Sequence, residues 1–177
     1  AAGHGKGLCL DDTTFSHCPG QIPVTWPNTA EPLRSLRLFK GWHEGWGDRE
    51  ARRAAHRSIV DWAQAQHGKV LVGTEISCNA TRDEQDWTWA KELLRELGPA
   101  HVMGLAVGNE VDLLQYDDKA SSECIRSVWG SNGLESYYHS TFVQRVTELD
   151  QLEGFQGSAV PLTTMMSGLA MKSDPDL

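Results

Sequence analysis

The sequence predicts an α/β fold built on a parallel sheet. Short apolar stretches alternate along the chain with longer segments in which apolar residues recur every three or four positions. This alternation is typical of parallel strands with helices packed outside them. With 177 residues, of which 40% are hydrophobic, the chain is long enough to bury one core, so we expect a single domain over residues 1–177.

The first part of the chain predicts two strands and one helix. A weak strand covers Gly7–Leu10 and a clearer one covers Ser35–Phe39, followed by the Trp- and Gly-rich loop Gly41–Gly47. A helix then begins near Asp48, which can cap it, and ends before Gly68. The apolar positions of this helix are Ala51, Ala55, Ile59 and Trp62.

The middle of the chain predicts a strand over Lys69–Ile76 and the best-marked helix. Thr81 and Glu84 have the spacing of a capping box, in which each side chain accepts a hydrogen bond from an amide at the helix start. The helix ends before Gly98. Its apolar stripe consists of Ala90, Leu93, Leu94 and Leu97.

The last part predicts a strand over His101–Val107, a long loop, a third helix ending near Gly154, and a strand over Ser158–Thr164 that contains Pro161. The apolar positions of the third helix are Leu134, Tyr138, Phe142, Val146 and Leu149.

Two architectures fit this order of elements. One is a five-stranded doubly wound parallel sheet, and the other is the first part of a (β/α)8 barrel, which typically needs about 250 residues. Periodicity does not distinguish them. Both folds place ligands at the carboxyl ends of the strands, so the residues that follow the strands are the functional candidates.

Charge and composition limit the partners. The chain has 16 Lys and Arg against 24 Asp and Glu, a net charge of −8, so a nucleic-acid backbone would be repelled. No apolar run approaches the ~20 residues that a membrane-spanning helix needs, so no transmembrane segment is expected.

Cysteine and sequon positions favour a secreted protein. The four Cys lack the paired spacing of a zinc site, so we expect no metal. Cys78 and Cys124 fall in the loops after the third and fourth strands, which lie side by side in a parallel sheet, so they are a candidate disulfide pair among the three connectivities that four Cys allow. Asn79 begins an Asn-Ala-Thr glycosylation sequon. Together these features favour the secretory pathway.

Carboxylates and tryptophans follow the predicted strands. Trp42 and Trp46 follow the second strand, Glu75 ends the third, and Asn109 and Glu110 follow the fourth. Glycoside hydrolysis needs two carboxyl groups beside the glycosidic oxygen, and indole rings stack on the apolar faces of sugars. The strand ends therefore favour a carbohydrate site, in which the two tryptophans either line sugar subsites or close the mouth of the core.

Four stretches resemble glycoside hydrolase family 17, the β-1,3-glucanases and related transglucosylases. Val107–Val111, with the sequence Val-Gly-Asn-Glu-Val, is similar to the signature of the family's fourth strand. Leu36–Phe39 is similar to the second strand, Lys69–Gly73 to the third and Val160–Thr164 to the fifth. The resemblance covers roughly residues 36–164 in the expected order.

The resemblance implies a TIM-barrel-type (β/α)8 fold, incomplete here with about five β/α units, and a retaining glycoside hydrolase or transglycosylase acting on β-glucan without a cofactor. Glu110 would be the general acid/base, and Asn109 would hold a substrate hydroxyl and orient that acid. Arg37 would support the carboxylates electrostatically. Glu75 is a further candidate, either as a substrate-binding carboxylate or as the partner in a surface salt bridge.

The family's nucleophilic Glu follows the seventh strand, and this chain ends soon after its fifth. The chain alone is therefore expected to be inactive. The alternative function is a non-catalytic carbohydrate-binding or structural subunit, built on a degenerate glycosidase barrel in a larger assembly. Other protein subunits would then cover the open edge of the barrel.

Overall fold

The part of the chain that the structure describes folds into an α/β structure with one five-stranded sheet, in which every neighbouring pair of strands is parallel. The computed structural model describes residues 7–10, 15, 21–41, 49–116 and 136–167. The spatial order of the strands follows the chain, from β1 at one edge to β5 at the other. The strands are β1 (Leu8–Cys9), β2 (Ser35–Arg37), β3 (Lys69–Thr74), β4 (Val102–Asn109) and β5 (Leu162–Met165). The predicted α/β class and parallel pairing are confirmed.

Three α-helices are present in the described part of the chain, and all three were predicted from periodicity. They are α1 (Arg49–Ala65), α2 (Ala80–Leu97) and α3 (Tyr137–Gln151). Short 3-10 helices cover Pro99–His101 and Val111–Tyr116. None of the described helices is both long and apolar enough to cross a membrane.

Helix α2 begins at a different residue from the predicted one. Asn79 is its N-cap, and the Asn79 side chain accepts a hydrogen bond from the amide of Arg82 at 3.1 Å. Such a bond satisfies an amide that has no partner inside the helix. Thr81 lies within the helix, so the predicted capping box at Thr81 is wrong.

The core lies between the sheet and the helices. Leu36 pairs with Val70, and Val70 pairs with Val102, so these side chains point to the same face of the sheet. All three are buried, and they share one hydrophobic cluster with Ile59 of α1 and Leu93 of α2. Helices therefore cover this face.

The opposite face is less covered in the described part of the chain. Cys9 pairs with Arg37, and Arg37 pairs with Leu71, so these three side chains form one row on that face. Cys9 is exposed, and Arg37 and Leu71 are only half-buried. Within this row, Arg37 is the last residue of β2 and so lies at the carboxyl end of that strand.

Two glycines allow close backbone approach where β2 ends. A Cβ on Gly73 would lie 2.3 Å from the carbonyl oxygen of Phe39, and a Cβ on Gly41 would lie 2.6 Å from the amide nitrogen of Ala90. The buried imidazole of His56 hydrogen-bonds the carbonyl of Gly41 through Nε2 at 3.2 Å. Burial lowers the pKa of His56 to about 4, so the ring is neutral near pH 7. These contacts hold the segment after β2 against α1 and α2.

Candidate functional site

The last residues of β2 and β4 are joined by a direct hydrogen bond between their side chains. Arg37 Nη2 donates to Asn109 Oδ1 at 2.7 Å, across the intervening strand β3. The guanidinium also lies over the ring of Phe39, 4.3 Å from its centre. The structure thus brings together two of the predicted site residues at the carboxyl end of the sheet.

Glu110 follows Asn109 directly and has a left-handed backbone. Its φ is 50°, and its side chain is exposed. The Glu110 amide donates to the carbonyl of Met165 in β5 at 2.8 Å, and its own carbonyl accepts from Leu113 at 2.8 Å. The carboxylate has no hydrogen bond or ion pair with the described residues, so it is available to a ligand at this edge.

The turn that carries Glu110 is sterically tight. Gly108 has a φ of 81°, and a Cβ there would lie 2.6 Å from Val111 Cγ1. Left-handed backbone costs roughly 1–3 kcal/mol for a residue with a side chain, and such strain clusters at functional sites. Position 110 therefore holds a glutamate in a backbone conformation that glycine would adopt with less strain.

This strain predicts that Glu110→Gly raises the free energy of unfolding by about 1 kcal/mol, because glycine adopts positive φ without a steric penalty but is more flexible when unfolded. Urea unfolding measures the change. Glu110→Gln is the matched control and should leave stability unaltered, since it keeps the Cβ. A loss of stability in the glycine variant would contradict the proposed strain.

Glu75 is engaged by two cations at the ends of neighbouring elements. Arg82 donates to both carboxylate oxygens, Nε to Oε2 at 3.0 Å and Nη2 to Oε1 at 3.1 Å. Lys40 Nζ lies 3.3 Å from Oε1. These ion pairs link the segment after β2, the end of β3 and the first turn of α2. The geometry favours the salt-bridge interpretation of Glu75 over substrate binding.

A buried aspartate on α2 fixes the backbone at Glu75. Asp86 is fully buried, and its Oδ2 accepts the hydroxyl of Thr74 and the amide of Glu75, each at 2.7 Å. The sequence analysis missed this residue. Its spacing three and four residues from the apolar positions of α2 was the available signal, because it places Asp86 on the covered face of the helix.

A second aspartate that the sequence analysis missed, Asp83, connects the loop between β3 and α2 to α3. Asp83 Oδ1 accepts the amide and the hydroxyl of Ser77 at 2.9 and 2.6 Å, and Oδ2 accepts the Tyr137 hydroxyl at 2.7 Å. Burial raises the pKa of Asp83, against the opposing effect of these hydrogen bonds, and burial likewise raises the pKa of Tyr137. This network braces the loop that precedes Cys78.

Only some of the cysteines and tryptophans that were candidate functional residues lie in the part of the chain that the structure describes. Cys78 is disulfide-bonded and Cys9 is an exposed free thiol. Cys124 lies outside the described residues, so its pairing with Cys78 stays a prediction. Trp42 and Trp46 also lie outside them, and their predicted contacts with sugar stay untested. Among the residues that the structure describes, no cluster of three or more His, Cys, Asp or Glu side chains could hold a metal ion.

Comparison with known proteins adds no relative. A scan against protein-family models, a search of curated proteins and a search of solved structures each gave no match to this chain. The resemblance to glycoside hydrolase family 17 therefore stays a prediction, and the functional argument depends on the geometry of the strand ends.

Proposed function

We propose that this chain provides the acid/base part of a retaining glycosidase or transglycosylase site that acts on β-glucan, with Glu110 as the acid/base. The observation that carries the proposal is the Arg37–Asn109 hydrogen bond beside the exposed carboxylate of Glu110, which has no hydrogen bond or ion pair among the described residues. These groups lie at the carboxyl end of a parallel sheet, where both candidate architectures bind ligands.

Each residue has a distinct task in this proposal. The Asn109 oxygen accepts from Arg37, which leaves the Asn109 amide hydrogens to donate to a sugar hydroxyl. Glu110 protonates the departing glycosidic oxygen and then removes a proton from the incoming water or sugar hydroxyl. Arg37 lies on the same edge, and its positive charge would favour the ionised form of Glu110 that acts as the base in the second step. No cofactor is needed.

The strand order supports an incomplete (β/α)8 barrel as the scaffold. Doubly wound sheets reverse their strand order at a switch point, whereas barrel strands follow one another in chain order. The order here runs from β1 to β5 without reversal. Right-handed crossovers would then place every helix on one face, and the half-covered row that contains Arg37 and Leu71 would line the barrel interior.

The alternative function, a non-catalytic carbohydrate-binding or structural subunit, is favoured by the edge of the sheet at β5, which no described strand covers. Leu162 of β5 is 40% exposed and Val143 of α3 is 47% exposed. A groove of about 400 Å³ runs between α3 and β5, with Val146, Phe155 and Leu162 in its lining. A further protein segment or subunit that covers this edge would bury these apolar side chains.

Secretion and glycosylation form part of the proposal. Asn79 is exposed at the start of α2, where its Oδ1 makes the capping bond, so a glycan on Nδ2 would extend into solvent. The disulfide at Cys78 supports an oxidising compartment.

Binding of β-1,3-gluco-oligosaccharides to the purified chain, followed by NMR, tests the function. We expect saturable shifts at Arg37, Asn109 and Glu110, and about tenfold weaker binding by Asn109→Ala, because that variant loses hydrogen bonds to a sugar hydroxyl. Gln85→Ala, an exposed amide on α2, is the matched control and should bind like the wild type.

Two outcomes count against a glucan site at these strand ends. One is the lack of saturable shifts at the three residues. The other is equal binding by the Asn109→Ala and Gln85→Ala variants, which would place any sugar elsewhere on the protein. An α-linked glucan of the same length serves as the ligand control.

A further inference from the structure

The turn after β4 is fastened to the end of β5 at two points. The first is the bond from the Glu110 amide to the carbonyl of Met165 at 2.8 Å. The second is Asp112, whose Oδ1 accepts the amide of Ser167 at 2.8 Å and whose Oδ2 accepts the Ser167 hydroxyl. Ser167 is only 5% exposed. Both fastenings involve the turn that presents Glu110.

The carboxylate form of Asp112 is the one that these bonds favour. Burial acts to raise the pKa of Asp112, but the two hydrogen bonds from Ser167 outweigh it and hold that pKa below its ordinary value. Hydrogen bonds to an ionised acceptor are shorter and stronger than neutral ones. The Asp112–Ser167 pair is therefore a firm tie between two segments 55 residues apart.

The strand pairing needs such a tie at this point. The register between β4 and β5 shifts between Ala106 and Asn109, so the regular ladder is interrupted just before the turn. Beyond the shift, Glu110 has a positive φ, a conformation that persists only where the surrounding contacts determine it. A single amide bond to Met165 gives little such restraint.

We propose that Asp112 is a positioning residue, which holds the Glu110 turn in its left-handed conformation by tying it to Ser167 at the end of β5. The catalytic significance of this tie rests on the proposed function, whereas the restraint itself does not. Asp112 would fix the direction of the acid/base carboxylate without touching the substrate.

Hydrogen exchange at the Glu110 amide, measured by NMR, tests the restraint. In Asp112→Ala we expect exchange at Glu110 to become about tenfold faster while Val72 in β3 keeps its rate, because only the turn loses its tie. Asp112→Asn should restore exchange to within about threefold of the wild type, since its amide can accept from one Ser167 group and donate to the other. Asp61→Ala, an exposed carboxylate on α1, should have no effect.

Three results would overturn the proposal. The Glu110 rate is unaltered in Asp112→Ala, or Val72 accelerates by the same factor, or Asp112→Asn behaves like Asp112→Ala, which would mean that the two hydrogen bonds with Ser167 do not restrain the turn. If Asp112→Ala does not fold, Ser167→Ala is measured instead. It removes one of the two bonds and should speed hydrogen exchange at Glu110 by a smaller factor. None of these readouts requires sugar binding, so the restraint and the proposed function fail separately.

Discussion

Replacing Arg145 by alanine is expected to lower the free energy of unfolding by about 3 kcal/mol. The Arg145 side chain is 1% exposed, and its Nη1 lies 2.5 Å from Glu84 Oε1. Its guanidinium also lies 5.3 Å from the ring centre of Trp87. Alanine would leave a cavity beside Trp87, and the lost contacts destabilise the packing of α3 on α2. Urea unfolding measures the loss.

Arg145→Met separates volume from charge. Arg145 Nε is buried with no hydrogen-bond partner among the described residues, so the guanidinium is not fully compensated for its lost hydration. Glu84 is 51% exposed and stays hydrated without its partner. Arg145→Met should therefore lower the free energy of unfolding by less than about 1 kcal/mol. The exposed control Arg95→Ala should lower it by less than about 0.5 kcal/mol. A methionine variant as unstable as the alanine variant would show that the ion pair dominates.

The strands and helices were predictable because each one follows a local pattern. Strand β5 was predicted over Ser158–Thr164 and is present, but it covers only Leu162–Met165 and so begins just after Pro161. Its missing N–H therefore costs no ladder bond, and its carbonyl accepts the amide of Leu105 at 2.9 Å.

The buried polar residues were harder to predict from residue type. Asp83 lies in the first turn of α2, where acids are favoured by the helix dipole even when they are exposed, and Asp86 lies further along the same helix. Only their spacing from the apolar stripe marks them as covered, and the same holds for Arg145, four residues before buried Leu149. An acid or arginine that falls on the apolar face of a helix is therefore a candidate for a buried side chain that binds a loop or a neighbouring helix.

The candidate site was predictable in position but not in detail. The rule that ligands bind at the carboxyl ends of parallel strands led to Asn109 and Glu110, and the resemblance to glycoside hydrolase family 17 led to Arg37. Whether Glu75 would pair with cations depended on Arg82 and Lys40, which lie 7 and 35 residues away. Contacts of that kind arise from tertiary packing, which no local pattern contains.

The purified 177-residue chain is expected to hydrolyse laminarin-type glucan no faster than its Glu110→Gln variant. A retaining mechanism needs a second carboxyl group about 5–5.5 Å from the acid/base to form the glycosyl-enzyme intermediate. Glu75, the carboxylate at the neighbouring strand end, has both oxygens engaged by Arg82 and is not free for that task. Release of reducing sugar from wild type, Glu110→Gln and Glu75→Gln measures the outcome, with Glu31→Gln, an exposed residue before the start of β2, as the control. Turnover by the wild type that disappears in both the Glu110 and Glu75 variants but persists in the control would show that Glu75 completes the site, and would overturn the interpretation of this chain as half of a catalytic pair.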